Sequence, residues 1–323
     1  MLAMPLIRPR RLAAGQTIGL VAPSSAPNEP ERIRFATETL ESLGFRVKPG
    51  AHLSDRDGYL AGTDAGRAAD LNAMFADESV DAIWCVRGGY GASRLLPALD
   101  FTLMQRAPKA LIGYSDITAL HMAIQRHAGL VTFHGPVAFR SFTSYTVDAL
   151  RSVLWAPEAP IRLAAPPPFE KREGQVDWDN RVTTLVPGRA RGRLLGGNLC
   201  LMSHLVGTPY LPDLRGSILF LEDVEEAYYR IDRMLTQLWL SGALAGVAGV
   251  AFGKFTQCDP SPFFLQNRPL EEILAERFRA LGIPTVSGLM IGHIDDQATL
   301  PVGCLAELDA DAATLTLLEP GVV

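Results

Sequence analysis

The sequence predicts an α/β protein in two parts, an N-terminal parallel-sheet domain followed by a smaller C-terminal α/β domain. Three observations lead there. Short apolar runs alternate with helical patterns through the first half, a proline-rich stretch interrupts them after Trp155, and strand-like runs around a long helical pattern resume beyond it. Strands separated by helices of this length need crossover connections, which imply a largely parallel sheet.

In chain order, strand-like runs fall at residues 17–22, 81–87, 110–113 and 130–133. A helical stretch at 31–43 stops at Gly44, where a left-handed terminal residue costs least. A second stretch runs to Phe75, with Thr63 or Asp64 as its cap. Residues 157–187 contain several prolines, including Pro166-Pro-Pro168, and no sustained period. Proline removes backbone donors and stiffens the chain, as a linker requires. Further strand-like runs follow at 191–195, 217–221, 249–252 and 285–291, with a helical pattern over 225–240 between the second and third. The end, 305–309 and 314–318, reads as a hairpin. The expected division is 1–156, a linker at 157–188, and 189–323.

Composition narrows the function. Hydrophobic residues make up 48% and charged residues 20% of the 323, which suits a buried globular core. A net charge of −5 gives no basic footprint for nucleic acid or an anionic membrane. No apolar run reaches the roughly 18–20 residues that span a bilayer. Arg8, Arg10 and Arg11 look superficially like a charged leader, but the next apolar stretch ends at Pro23 and reads as a strand, so a cytoplasmic location is expected. Cys85, Cys200, Cys258 and Cys304 are scattered and form no CxxC pair, which favours reduced structural thiols.

The most informative stretch is Ala110-Leu-Ile-Gly-Tyr-Ser-Asp-Ile117. An apolar strand runs into Gly113 and a helical pattern starts after Ser115 or Asp116. A serine at such a junction is held on a sharp turn at the carboxyl end of the sheet, near a helix N-terminus. Ile117 stands where GxSxG would place its second glycine, so Ser115 or Asp116 could equally cap the helix. Ser24 and Ser25 follow the first strand and are rival nucleophiles, better suited to lining a cleft or capping a turn. Gly88-Gly-Tyr-Gly-Ala-Ser93, directly after the strand-like run at 81–87, is neither a P-loop nor GxGxxG. It can point backbone amides into a site, or simply make a tight turn.

A serine hydroxyl needs a base within reach. Of six histidines, His121 and His127 fall in the helix after Ser115, and His204 in another helical stretch; His52 carries no such signal. His134 and His293 each follow an apolar strand, and pattern alone does not separate them. Glu222 ends the strand at 217–221, where its carboxylate could orient a base histidine. Asp223 suits a cap for the helix beyond, and Glu225 and Glu226 would complement its dipole. His121, His134, Glu222 and Asp116 are metal-ligating types, yet no HExxH or paired-histidine spacing occurs, so neither metal nor cofactor is expected.

At these residues the sequence resembles the LD-carboxypeptidases, or muramoyltetrapeptide carboxypeptidases, a family that includes the microcin C self-immunity peptidases. The resemblance lies in ordered segments along nearly the whole chain: Gly19-Leu-Val-Ala-Pro-Ser-Ser25, Arg87-Gly-Gly-Tyr-Gly91, Gly113-Tyr-Ser-Asp116, Leu195-Gly-Gly-Asn198, Leu221-Glu-Asp223, Tyr229-Arg-Ile-Asp-Arg-Met234 and Gly292-His293. It implies a flavodoxin- or amidotransferase-like first domain and a Ser-Glu-His triad of Ser115, Glu222 and His293, choosing His293 over His134. It also implies an oxyanion hole from the amides of Gly89 and Asp116, a metal-independent homodimer, and release of D-alanine from murein tetrapeptides during peptidoglycan recycling. Arg87, Arg230 and Arg233 are candidates to hold the substrate carboxylate. Two other readings stand beside it: cleavage of a peptidyl-nucleotide toxin, with Trp178 stacking on the base, and non-catalytic peptide binding.

Overall fold

The structure is a computed structural model that describes residues 5–29, 31–170 and 173–323. The first half lays down β1 (Thr17–Val21), α1 (Glu31–Ser42), β2 (Arg46–Pro49), α2 (Asp64–Ala76) and β3 (Ala82–Cys85). It continues with α3 (Phe101–Arg106), β4 (Ala110–Gly113), α4 (Thr118–His127), β5 (Thr132–His134) and α5 (Ser144–Leu154). Strands β3, β4 and β5 are buried throughout, and all of β1 beyond Thr17, as expected of strands covered on both faces. Of the two cap candidates for α2, Thr63 fills the role, its hydroxyl accepting from the Gly66 amide at 3.1 Å.

These strands pair in parallel in the order β2-β1-β3-β4-β5. In a doubly wound sheet of this order the crevice opens at the carboxyl ends of the strands, where the order reverses between β1 and β3. The turns after β1, β3 and β4 carry Ser24 and Ser25, Gly88–Gly91 and Ser115. The sheet thus delivers the three sequence motifs to one edge.

The second half contributes β6 (Ile161–Leu163), β7 (Thr183–Val186), β8 (Arg189–Asn198), α6 (Leu199–His204), β9 (Ser217–Val224) and α7 (Tyr228–Leu240). After these come β10 (Gly249–Thr256), α8 (Leu270–Leu281), β11 (Thr285–Ser287), β12 (Leu300–Val302), β13 (Leu305–Asp309) and β14 (Thr314–Leu317). Eight of these strands form a mixed sheet, β6-β14-β13-β8-β9-β10-β11-β7, whose centre, β8 to β11, is parallel. The expected terminal hairpin is present as β13 and β14.

Several elements differ from the sequence reading. The stretch 157–188 supplies two strands, β6 and β7, at opposite edges of the second sheet. The run at 285–291 is a strand only through Ser287, and the helix expected from 225 begins at Tyr228. Strand β12 leaves the second half and pairs antiparallel with β5, Leu300 opposite His134. Across the junction the Asn198 amide donates to the Thr118 hydroxyl at 3.0 Å, and the His134 ring packs on Phe220 at 5.2 Å. The carboxyl ends of β4 and β9 therefore meet.

Candidate active site

Ser115 opens a short 3-10 turn, Ser115–Ile117, between β4 and α4. Its φ is +65°, a left-handed conformation that costs a non-glycine residue about 1–3 kcal/mol and gathers at functional sites. Neither capping alternative describes this turn. Tyr114 and Ile117 occupy the two N-cap positions without side-chain cap bonds. The Asp116 carboxylate instead turns inward, accepting from the Ser24 hydroxyl at 2.5 Å and from the Ala92 amide at 2.8 Å. Burial raises its pKa, against the pull of those donors.

The turn is fixed from beneath by His121. Its Nε2 lies 2.8 Å from the Gly113 carbonyl, which can only accept, so Nε2 carries the proton. Nδ1, 2.9 Å from the Thr132 hydroxyl, then accepts from it. Burial lowers this histidine to about 4 and keeps it neutral. Arg67 holds the flanking turns: its buried guanidinium donates to the carbonyls of Pro23, at 2.5 Å, and Gly91, at 3.0 Å. Its charge also acts on Asp116. Ser25 accepts from the Tyr90 amide at 3.1 Å, so both rival serines serve to fasten these turns. Gly89 sits at φ +112°, and a Cβ there would lie 2.5 Å from the Ser25 hydroxyl. The turn therefore requires glycine.

Glu222 lies at the end of β9, between β8 and β10, fully buried. Its Oε2 is 2.7 Å from His293 Nδ1. Since a carboxylate accepts, Nδ1 donates and the lone pair of Nε2 is left for a proton. Gly292, at φ +115°, makes the approach possible, because a Cβ would stand 2.7 Å from that same Oε2. The His293 ring rests on Tyr114, the residue before Ser115, with centroids 4.7 Å apart. Ser115, Gly89 and His293 line one cleft of about 420 Å³, together with Arg87, Arg140 and Glu225.

The other histidines are engaged elsewhere. His134 is fully buried behind Tyr114, strongly depressed in pKa by burial and by the neighbouring histidines, and does not reach the cleft. His52 bonds Asp70 at 2.8 Å, His127 the Pro209 carbonyl at 3.1 Å and His204 the Cys200 sulfur at 3.4 Å. Among the described residues no group of three or more His, Cys, Asp or Glu side chains could hold a metal ion.

Asp223 does not cap α7, whose N-cap is Ala227 with no side-chain bond. It is buried and accepts from Asn198 Nδ2 at 2.8 Å and the Cys200 amide at 3.0 Å, tying β9 to the start of α6. Burial and the adjacent Glu222 push it up to about 7. Arg140, Glu225 and Gln257 also line the cleft, with no sequence signal that placed them there. Glu225 (φ +59°) and Gln257 (φ +54°) share the left-handed conformation of Ser115, so three strained non-glycine residues border this one cleft. Arg230 and Arg233 are outside it, packed against Tyr229.

A cleft between the carboxyl ends of parallel strands is where α/β proteins bind and transform small ligands. Residues 18–135 match the LD-carboxypeptidase N-terminal domain and residues 191–308 the LD-carboxypeptidase C-terminal domain, and the chain belongs to this peptidase family. It is 45% identical over 325 residues to a putative carboxypeptidase of Streptomyces coelicolor, covering 98% of each chain. It is 37% identical over 299 residues to the murein tetrapeptide carboxypeptidase of Pseudomonas aeruginosa, covering 91% of this chain and 93% of that one. Among solved structures it is similar to MccF in complex with glutamyl sulfamoyl guanosine, with a TM-score of 0.87 at 26% identity over 99% and 100% of the two chains.

Proposed function

We propose that this chain is a serine carboxypeptidase that releases terminal D-alanine from murein tetrapeptides, with Ser115 as nucleophile, His293 as base and Glu222 orienting the base. One observation carries the reading. A strained serine shares a cleft with a histidine whose far nitrogen is fixed by a buried carboxylate at 2.7 Å. The likeness to a relative named for murein tetrapeptides supplies the substrate class.

In this mechanism His293 Nε2 takes the Ser115 proton as the hydroxyl attacks the carbonyl carbon of the last peptide bond. The Gly89 and Asp116 amides receive the developing oxyanion, each donor being worth roughly 3–4 kcal/mol in comparable enzymes. The Asp116 amide suits the task because the first N–H groups of a helical turn have no acceptor within it. His293 then protonates the leaving amine of D-alanine, and water resolves the acyl-enzyme. A cytoplasmic site of action and a homodimeric assembly are supported by the family resemblance alone. Mass spectrometry of a tetrapeptide ending in D-alanine tests the reading. Wild type should release D-alanine and Ser115→Ala should not, whereas equal release by both would overturn it.

A second reading, cleavage of an aminoacyl sulfamoyl nucleoside with the same residues, draws on the match to MccF bearing such a ligand. Trp178, the candidate stacking residue, is 79% exposed and does not line the cleft. Side-by-side hydrolysis of the two substrates separates the readings.

A further inference from the structure

A carboxypeptidase must recognise the free end of its substrate as well as the bond it cuts. The cleft holds two arginines. Arg87 is engaged through one nitrogen: its Nη1 donates to the Ala26 carbonyl at 3.1 Å and to Asn28 Oδ1 at 3.2 Å, and its guanidinium lies over the Phe139 ring. Arg140 is not. Among the described residues no carboxylate pairs with its guanidinium and no carbonyl or hydroxyl accepts from it.

The loop that carries Arg140 is firmly held. It follows β5 and crosses the end of β3, where the Ala138 amide donates to the Cys85 carbonyl at 3.0 Å and the Phe139 amide to Val86 at 3.1 Å. The Trp84 indole adds a bond of 2.7 Å to the Pro136 carbonyl. The Arg140 side chain thus rises from a fixed base. It borders both the cleft of Ser115 and an adjoining hollow of about 500 Å³ that also contains Arg32 and Thr143. Arg32 has a partner in Glu29 at 3.3 Å. Arg140 therefore stands where the two spaces join, half-buried and with its donors uncommitted. Its charge reaches the phenol of Tyr114, next to the nucleophile.

We propose that Arg140 is the specificity residue that binds the terminal carboxylate of the substrate and so restricts cleavage to the last peptide bond. The inference rests on the carboxypeptidase reading above. Guanidinium offers a planar fork of donors that matches a carboxylate in a two-bond geometry, which an ammonium cannot reproduce. A peptide whose chain end is an amide presents no such anion and leaves that fork unpaired.

The test compares a murein tetrapeptide ending in D-alanine with the same peptide ending in D-alaninamide, using wild type, Arg140→Met and Arg140→Lys. Wild type should favour the free acid by about 10- to 100-fold in kcat/KM, as a charged hydrogen-bonded contact implies. In Arg140→Met the acid-to-amide ratio should fall to within about threefold of unity, and Arg140→Lys should restore part of it with a raised KM. Because the readout is a ratio within one variant, partial misfolding cancels. If wild type cleaves the acid and Arg140→Met keeps its preference, the Arg140 assignment is wrong and the peptidase stands. If wild type cleaves the last peptide bond of neither peptide, the peptidase reading falls and takes this assignment with it.

Discussion

The carboxylate of Glu222 is sealed from solvent and meets the Nδ1 of His293, 71 residues further along the chain, at 2.7 Å. A buried charge persists only when something nearby holds it, and this one serves to fix which imidazole nitrogen carries the proton. Glu222→Gln keeps the shape but can present its amide N–H to Nδ1, turning the basic lone pair away from Ser115. We expect kcat/KM for a D-alanine-terminated tetrapeptide to fall by about 10³- to 10⁴-fold, with thermal stability little changed. A loss below tenfold would remove Glu222 from the mechanism.

Gly292→Ala places a methyl group 2.7 Å from the Glu222 carboxylate, at a φ that alanine avoids. The expected cost is about 1–3 kcal/mol in urea unfolding. Activity should fall further than stability, because the displaced carboxylate no longer orients His293. A variant with intact kcat/KM would show that the contact does not matter.

Glu225, directly after β9, holds φ +59° on the cleft wall, as Gln257, directly after β10, holds +54°. Glycine takes this conformation without steric cost. Glu225→Gly should therefore raise stability by roughly 1 kcal/mol, read from the urea midpoint at constant slope. A fall in stability would mean that the side chain supplies more than the strain removes.

Asp223 makes stability depend on pH. Its carboxyl is raised from 3.8 to about 7 in the folded protein, chiefly by burial and then by Glu222. The folded state thus retains a proton that the unfolded chain releases above about pH 4. That contribution is complete below the unfolded value and is lost as the pH rises through about 7. Asp223→Asn cannot ionise and should lack this decline. The stability of wild type relative to the variant should drop between pH 4.5 and 8, by on the order of 4 kcal/mol at most. Parallel curves would contradict the assignment.

Much of the site was legible because its residues end apolar runs. Ser115, Glu222 and the glycines at 88–91 each follow a strand that reads clearly from burial-type composition, and parallel sheets deliver strand ends to one edge. His293 and His134 share that signature and only tertiary packing separates them: His134 faces Phe220 and Tyr114, while His293 faces the cleft. Strands β2 and β12 were hidden because each carries a proline, Pro49 and Pro301, tolerated there because both strands are at sheet edges. Asp223 was misread because a local cap and a long-range tie to Asn198 look alike in sequence. Arg140 carried no signal, since its meaning lies in partners it does not have.

The central claim is that the hydroxyl of Ser115 is made reactive by His293. Labelling with a fluorophosphonate, followed by peptide mapping, measures this directly. One adduct is expected, on Ser115, absent in Ser115→Ala and strongly slowed in His293→Ala and Glu222→Gln. Labelling at Ser25 instead, or an unchanged rate in His293→Ala, would contradict it.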